Sequence, residues 1–238
     1  MRGMILAAGL GTRMRPLTDH TPKPLLEVGG KPLIVWHLEA LRAASITEVV
    51  INTAWLGDKL ESALGDGRSF GVNILWSHEP AGRPLETAGG IVQALHLIGH
   101  EPFLLVNGDI WLRYRMTALR TALAPGKQAH LVLVDNPAHN PTGDFGLQDI
   151  TTHSPQVGRR AVLESKTADS AFTYAGLAVY CPSLFQGLSQ GVRPLAPVLH
   201  EAISAGRASG EYFAGPWVDV GTPQRLQELD AAIRAEHI

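Results

Sequence analysis

A chain of 238 residues with 20 Lys plus Arg against 22 Asp plus Glu carries a formal net charge of −2, which gives no support to a nucleic-acid or membrane-surface partner. Cys181 is the only cysteine, so no internal disulfide can form and a reducing cytoplasm fits. No apolar run approaches the roughly 20 residues of a membrane span, and the short apolar start lacks the form of a signal peptide. The length suits one domain, 1–238, with room for an insertion, and leaves the oligomeric state open.

Strand-like and helix-like segments alternate from the start. Residues 3–8 form an apolar run that ends at a glycine loop, Gly9-Leu10-Gly11-Thr12-Arg13. A helix is expected over 31–44, with Pro32 in its first turn and Leu33, Ile34, Leu38 and Leu41 on one stripe. Strands over 48–52 and 72–76 alternate with helices over 55–64 and 88–98. The apolar strand 103–106 stops at Asn107-Gly108-Asp109. A helix over 117–123 and a strand over 130–134 follow. This alternation predicts an α/β fold, a doubly wound and mostly parallel sheet.

After about residue 135 the pattern changes. Segment 136–170 is rich in Pro, Gly, Thr and Ser, with strand-like pieces at 145–147 and 161–163, and 173–180 reads as a further strand. We expect 136–180 to be a small lobe inserted on the sheet. Helices are expected over 195–205 and 223–236, the last capped by Thr222 with Pro223 at its first position. In open parallel sheets ligands sit beyond the C-terminal strand ends. The glycine loop and Asn107-Gly108-Asp109 both fall there.

The glycine loop lacks the third glycine of a dinucleotide fingerprint and the Gly-Lys-Ser/Thr of a Walker loop. It does have free backbone N–H groups beside Arg13, Arg15, Lys23 and Lys31, a combination suited to polyphosphate. Lys23, between Pro22 and Pro24, sits on stiffened backbone that can aim an ammonium. A solvated basic turn would also explain such a stretch. Asp109 and Asp219 each suit a strand-end turn. Taken with a phosphate loop, they instead suit a Mg²⁺ ion held by two carboxylates and substrate oxygens. The ten histidines form no cluster with zinc spacing. The run Pro84-Leu85-Glu86-Thr87-Ala88-Gly89-Gly90 offers small residues over which a flat ligand could lie, and equally an ordinary helix start with Thr87 as cap.

With these pieces in view the sequence resembles the sugar-1-phosphate nucleotidyltransferases. The signature Gly-x-Gly-Thr-Arg-x-x-Pro-x-Thr stands as Gly9 to Thr18, followed by Pro22-Lys23-Pro24. The Gly-Asp metal position stands as Gly108-Asp109, and Trp-x-Asp-x-Gly-Thr-Pro as Trp217 to Pro223. The likeness spans nearly the whole chain and implies a Rossmann-like nucleotidyltransferase core with a sugar-binding lobe. It implies an enzyme that joins an NTP to a sugar 1-phosphate and releases pyrophosphate. Arg13 and Lys23 become the catalytic residues. Leu6, Ala8, Gly9, Gly11, Thr12, Arg13, Glu79, Leu85, Thr87 and Gly89 become the nucleotide-binding set. Asn107, Gly146, Glu164, Tyr174 and Gly176 become the sugar contacts, and Asp109 and Asp219 the Mg²⁺ ligands.

Within the family, the compact length, Ile51-Asn52-Thr53-Ala54-Trp55-Leu56-Gly57 and Val106-Asn107-Gly108-Asp109 are most similar to members that pair UTP with N-acetylmuramic acid 1-phosphate in bacterial cell-wall recycling. The sugar lobe departs from the family. Glu164-Ser165-Lys166 stands for Glu-Lys-Pro, and Tyr174-Ala175-Gly176 for Asn-x-Gly. A cytidylyltransferase for phosphocholine would want an aromatic cage, for which Phe145, Phe172, Tyr174 and Tyr180 stand available. A guanylyltransferase for heptose or mannose 1-phosphate, and a nucleotide-sensing scaffold without turnover, complete the alternatives. A muramate substrate would bring a lactyl carboxylate needing a cation. Arg159, Arg160, Lys166 and Arg193 are the candidates.

Overall fold

The computed structural model describes residues 1–80, 82–148, 159–167 and 171–237, and over 159–162 the backbone alone. Its first half runs β1 (Gly3–Leu6), β2 (Glu27–Val28), β3 (Lys31–Pro32), α1 (Leu33–Ala43), β4 (Glu48–Thr53), α2 (Gly57–Leu64), β5 (Asn73–His78), α3 (Glu86–Ile98), β6 (Phe103–Asn107) and β7 (Ile110–Leu112). The second half runs β8 (Ala129–Val134), β9 (Phe145–Gln148), β10 (Arg159–Ser165), β11 (Thr173–Tyr180), α4 (Ala196–Ser204), β12 (Ala208–Tyr212), β13 (Trp217–Asp219) and α5 (Pro223–Arg234).

Nine strands make one sheet in the order β5-β4-β1-β6-β11-β8-β12-β10-β9. Only β11 and β10 run against the rest of that sheet. The mostly parallel expectation therefore holds. Alternate side chains of each inner strand serve opposite faces. Ile5, Leu104, Val106 and Val132 face the layer of α1 and α2, whereas Met4, Phe103, Leu105 and Leu131 face α3 and α4. A strand buried on both faces must be apolar throughout, which is why these segments read as continuous runs.

Several expectations change. The helix expected from residue 31 starts at Leu33. Gly29 and Gly30 take φ of 59° and 80°, so β2 and β3 pair across a tight turn that uses Lys31 and Pro32 as strand. Residues 116–121 form 3-10 turns rather than α-helix. Thr87 does not cap α3, which begins at Glu86 with no side-chain cap. Thr222 does cap α5, its Oγ1 accepting the Arg225 amide at 3.3 Å. Residues 173–180 are no part of a peripheral lobe: β11 lies mid-sheet between β6 and β8. β9 and β10 form the far edge.

A third apolar cluster positions the site. Met14 and Leu26 of the N-terminal loop, Val28 of β2 and Leu33 of α1 pack with Trp111 of β7, with Val220 and with Leu229 of α5. The last helix thus closes over the first loop. The Gly29 amide also donates to Asp230 Oδ1 at 2.8 Å.

Candidate active site

The site is assembled where β1, β4, β5 and β6 end together. Leu6 of β1 pairs with Asn107 of β6 and Asn52 of β4. The Gly108 amide donates to Leu6 O at 2.9 Å. A Cβ on Gly108 would lie 2.6 Å from that oxygen, so only glycine lets the two loops touch. Asn52 Oδ1 accepts the Ala7 amide at 2.7 Å, and its Nδ2 donates to Glu79 Oε1 at 2.6 Å. Glu79 Oε2 accepts the Leu85 amide at 2.7 Å. Asn52 and Glu79, both buried, therefore lace three strand ends to the start of α3. The cleft between them is about 210 Å³ and is walled by Leu6, Ala8, Gly9, Glu79, Thr87 and Asp109 among others.

The outer turn of the glycine loop is held from outside. Gly11 sits at φ 63°, and Thr18 Oγ1 donates to its carbonyl at 2.7 Å. Trp55 Nε1 donates to Thr18 O at 3.1 Å, and Lys59 Nζ to His20 O at 2.6 Å. The Ile51-to-Gly57 stretch, singled out above by likeness, is thus the clamp on this turn. Arg13 and Thr12 are exposed, and Arg13 has no protein partner among the described residues.

Lys23 is buried, and its Nζ meets Asp109 Oδ2 at 2.7 Å. Asp219 arrives through a separate two-stranded ribbon in which it pairs with Ile110. The Val220 amide donates to Asp109 O at 2.9 Å. This register brings both carboxylates to a cleft of about 240 Å³ that Arg13 and His139 also line. Asp219 Oδ2 lies 2.9 Å from Arg225 Nη1 and 3.0 Å from His139 Nε2. Among the described residues no group of three or more His, Cys, Asp and Glu could hold a metal ion. Two hard carboxylates with open space beside them fit an ion that takes its remaining ligands from substrate and water. Behind Asp109, His37 is fully buried in α1 with a hydrogen bond to the Ile110 backbone. Burial pulls its pKa from 6.5 down to about 4 against the opposing effects of that bond and of Asp109.

A second cleft of about 360 Å³ opens from the first, sharing Thr87 and Asn107. Asn107 also lines the two-carboxylate cleft, so it stands where all three meet. Its Oδ1 is buried without a partner. Gly176, at φ 76°, leaves room for it: a Cβ there would lie 2.7 Å from Asn107 Nδ2. Tyr174 lines the second and third clefts. Burial raises its phenol pKa, and its oxygen accepts from the Tyr180 hydroxyl at 3.2 Å.

Some expected residues are not at the walls. Leu85 and Gly89 face inward. The Ala88 and Gly89 amides donate to Arg193 O, the Leu85 carbonyl accepts the Arg193 amide, and a Cβ on Gly89 would lie 2.3 Å from Gly191 O. The small residue there accommodates a protein loop rather than a flat ligand. Gly146 and Glu164 pair with each other across β9 and β10. Neither lines the second cleft, whose wall there is Phe145 and Lys166, although Glu164 Oε1 is buried unpaired. Sequence reasoning missed Asn52, whose only signal was a lone asparagine at the end of an apolar strand. It missed Arg225 and His139, which carry no motif at all. The Arg159 and Arg160 side chains lie outside the described residues.

The chain matches the nucleotidyl transferase family over residues 2–236. It is 51% identical over 97% of both chains to an N-acetylmuramate alpha-1-phosphate uridylyltransferase of Neisseria meningitidis serogroup B. It is 34% identical to a protein of the same description from Caulobacter vibrioides, over 97% of this chain and 96% of that one. Among solved structures, one assigned as a glucose-1-phosphate thymidylyltransferase of Bacillus anthracis superposes with a TM-score of 0.83 at 24% identity, covering 98% of this chain and 95% of that one. That likeness carries the fold alone. Among the described residues no helix is long and apolar enough to cross a membrane.

Proposed function

The chain belongs to the nucleotidyl transferase family, and on that premise we propose that it transfers the uridylyl group of UTP to N-acetylmuramic acid 1-phosphate and releases pyrophosphate. The setting is cytoplasmic cell-wall recycling, and the metal is Mg²⁺. We read 1–238 as one catalytic domain whose sugar contacts come from Asn107 and from segment 136–180. The observation that supports this best is the meeting at Asn107 of three clefts: one walled by the glycine loop, one by two carboxylates, and one large enough for a sugar. The likeness to the two N-acetylmuramate uridylyltransferases supports the substrate pair.

In this reading a sugar phosphate oxygen attacks the α-phosphorus in line, and the bond to pyrophosphate breaks. The attacking phosphate has its second pKa near 6 and is already ionised at neutral pH. Catalysis is then positioning and charge stabilisation, with no proton to remove. Loop N–H groups around Gly9 and the unpaired Arg13 meet the triphosphate. The Lys23 ammonium exchanges its Asp109 contact for the α-phosphate oxygens, where negative charge grows. Asp109 and Asp219 would hold the divalent ion, which when bound neutralises phosphate oxygens. Asn107 Oδ1 is a ready acceptor for a sugar hydroxyl, and Tyr174 remains a neutral phenol beside it.

The phosphocholine reading loses its cage. Tyr180 is fully buried against Phe103 and Phe185, and Phe172 packs on Tyr212. Phe145 and Tyr174 alone of the four reach the second cleft, where Lys166 would repel a quaternary ammonium. The deciding experiment measures pyrophosphate release for four NTPs against N-acetylmuramic acid, N-acetylglucosamine, glucose and mannose 1-phosphates and phosphocholine. Highest kcat/KM with UTP and the muramate is expected. Preference for any other pair overturns the reading.

A further inference from the structure

The second cleft contains one feature that the reaction above does not use. Among the described residues Lys166 is its only lysine or arginine. Its Nζ donates to Gly143 O at 3.0 Å, which leaves two of its three protons unused. No carboxylate lies within ion-pair distance of it among the described residues. Asp144, the one acid of that wall among the described residues, is committed elsewhere. Its Oδ1 accepts Asn140 Nδ2 at 3.1 Å and its Oδ2 the Tyr174 amide at 2.9 Å.

The anchor of Lys166 is stiff. Gly143 stands at φ 59°, and a Cβ there would lie 2.7 Å from Asn136 Oδ1 and 2.8 Å from the Phe172 amide. Asn136 is itself fixed by Thr173 Oγ1 at 2.9 Å and Ala171 O at 2.9 Å. A tethered ammonium with no carboxylate partner among the described residues, on the wall of a cleft sized for a sugar, is a preorganised anion contact. Arg193, a rival cation, does not line that cleft: its Nη2 bonds Ser189 Oγ at 2.6 Å, its amide donates to Leu85 O, and its carbonyl accepts the Ala88 and Gly89 amides at the start of α3.

We propose that Lys166 recognises the lactyl carboxylate of the sugar and is the residue that selects N-acetylmuramic acid 1-phosphate over N-acetylglucosamine 1-phosphate. The proposal rests on the uridylyltransferase reading. The two sugars differ at one position, where an ether-linked lactyl group replaces a hydroxyl, and the carboxylate of that group is the only charge by which they differ. His200, tilted at 50° to Phe145 with ring centroids 5.5 Å apart in the same wall, borders the same space.

The test uses N-acetylmuramic acid 1-phosphate and its lactyl carboxamide, which keeps the shape and removes the charge. Wild type should favour the acid over the amide by about 10- to 100-fold in kcat/KM, the range of a hydrogen bond to a charged group. Lys166→Met and Lys166→Gln should bring that ratio close to one, chiefly through KM on the acid, and Lys166→Arg should recover part of it. Equal losses on acid and amide in both variants would assign Lys166 to the phosphate or to the fold and overturn the proposal. An unchanged ratio would overturn it too. Wild type that turns over neither muramate substrate, yet acts on another sugar phosphate, would instead remove the functional reading on which the proposal stands.

Discussion

Lys23 and Asp109 are each other's partner at 2.7 Å, yet the mechanism assigns them to different ligands, a phosphate and a metal. Their contact keeps a buried ammonium compensated until substrate arrives. Lys23→Ala and Arg13→Ala should each lower kcat by about 100- to 1000-fold, the loss typical of removing one transition-state donor. Melting should hold nearly steady for the exposed Arg13. Near wild-type turnover in either variant would refute the assignment. Asp109→Asn and Asp219→Asn should raise the Mg²⁺ concentration for half-maximal rate and lower kcat. A Mg²⁺ titration of pyrophosphate release checks this, and an unshifted midpoint in both variants would remove the two-carboxylate site. That these residues would lie near one another was legible because each sits in a short motif, and Lys23 and Asp109 do meet while Asp219 lines the same cleft as Asp109. The role of Asn52 was not legible: it comes from Ala7, 45 positions away, and Glu79, 27 positions away.

Elements meet the site through close backbone contacts, and these set the next expectations. The start of α3 docks on residues 191–193, and Gly89→Ala would place a methyl 2.3 Å from a carbonyl oxygen. Overpacking of this kind costs about 1–3 kcal/mol, or roughly 2–12 °C in Tm for a chain of this size. Calorimetry showing no loss would contradict the docking. The seat of α1 under β7 has a pH signature. His37 titrates near 6.5 when unfolded and at about 4 when folded, so between these values the unfolded chain binds the extra proton. Stability should hold above pH 6.5, fall by on the order of 3 kcal/mol as the pH drops to 4, and level off below that on this account. Denaturant unfolding of wild type and His37→Gln across that range checks it, the variant having the smaller slope. Helix and strand identities were readable from apolar periodicity. The start of α1 was not, because the Gly29-Gly30 turn claimed two residues that propensity gives to a helix.

At the scale of the molecule, three strand-helix repeats were visible from apolar runs and helical stripes, whereas the fourth expected helix, over 117–123, proved to be 3-10 turns. β12 was invisible for want of such a run. It carries the half-buried Ser209 and the buried Glu211; His130 of β8 bonds both, at 2.9 and 3.2 Å, and Tyr114 also bonds Glu211. Polar residues satisfied across a sheet look like loop when read along the chain. Nor did segment order reveal that α5 returns to cover the first loop. Chains cut after Tyr212 lose Asp219, Val220 and Leu229 together, and should show no turnover, as pyrophosphate release from purified truncations would test. Activity in such a chain would mean that the second carboxylate is dispensable. That closure also has a consequence in time. A ribosome makes about 5–20 residues per second from the N-terminus, so the glycine loop, Lys23 and Asp109 emerge well before their last partner. On the proposed function the nascent protein carries the groups assigned to the nucleotide for several seconds without Asp219, and becomes competent only when α5 folds back onto the first loop.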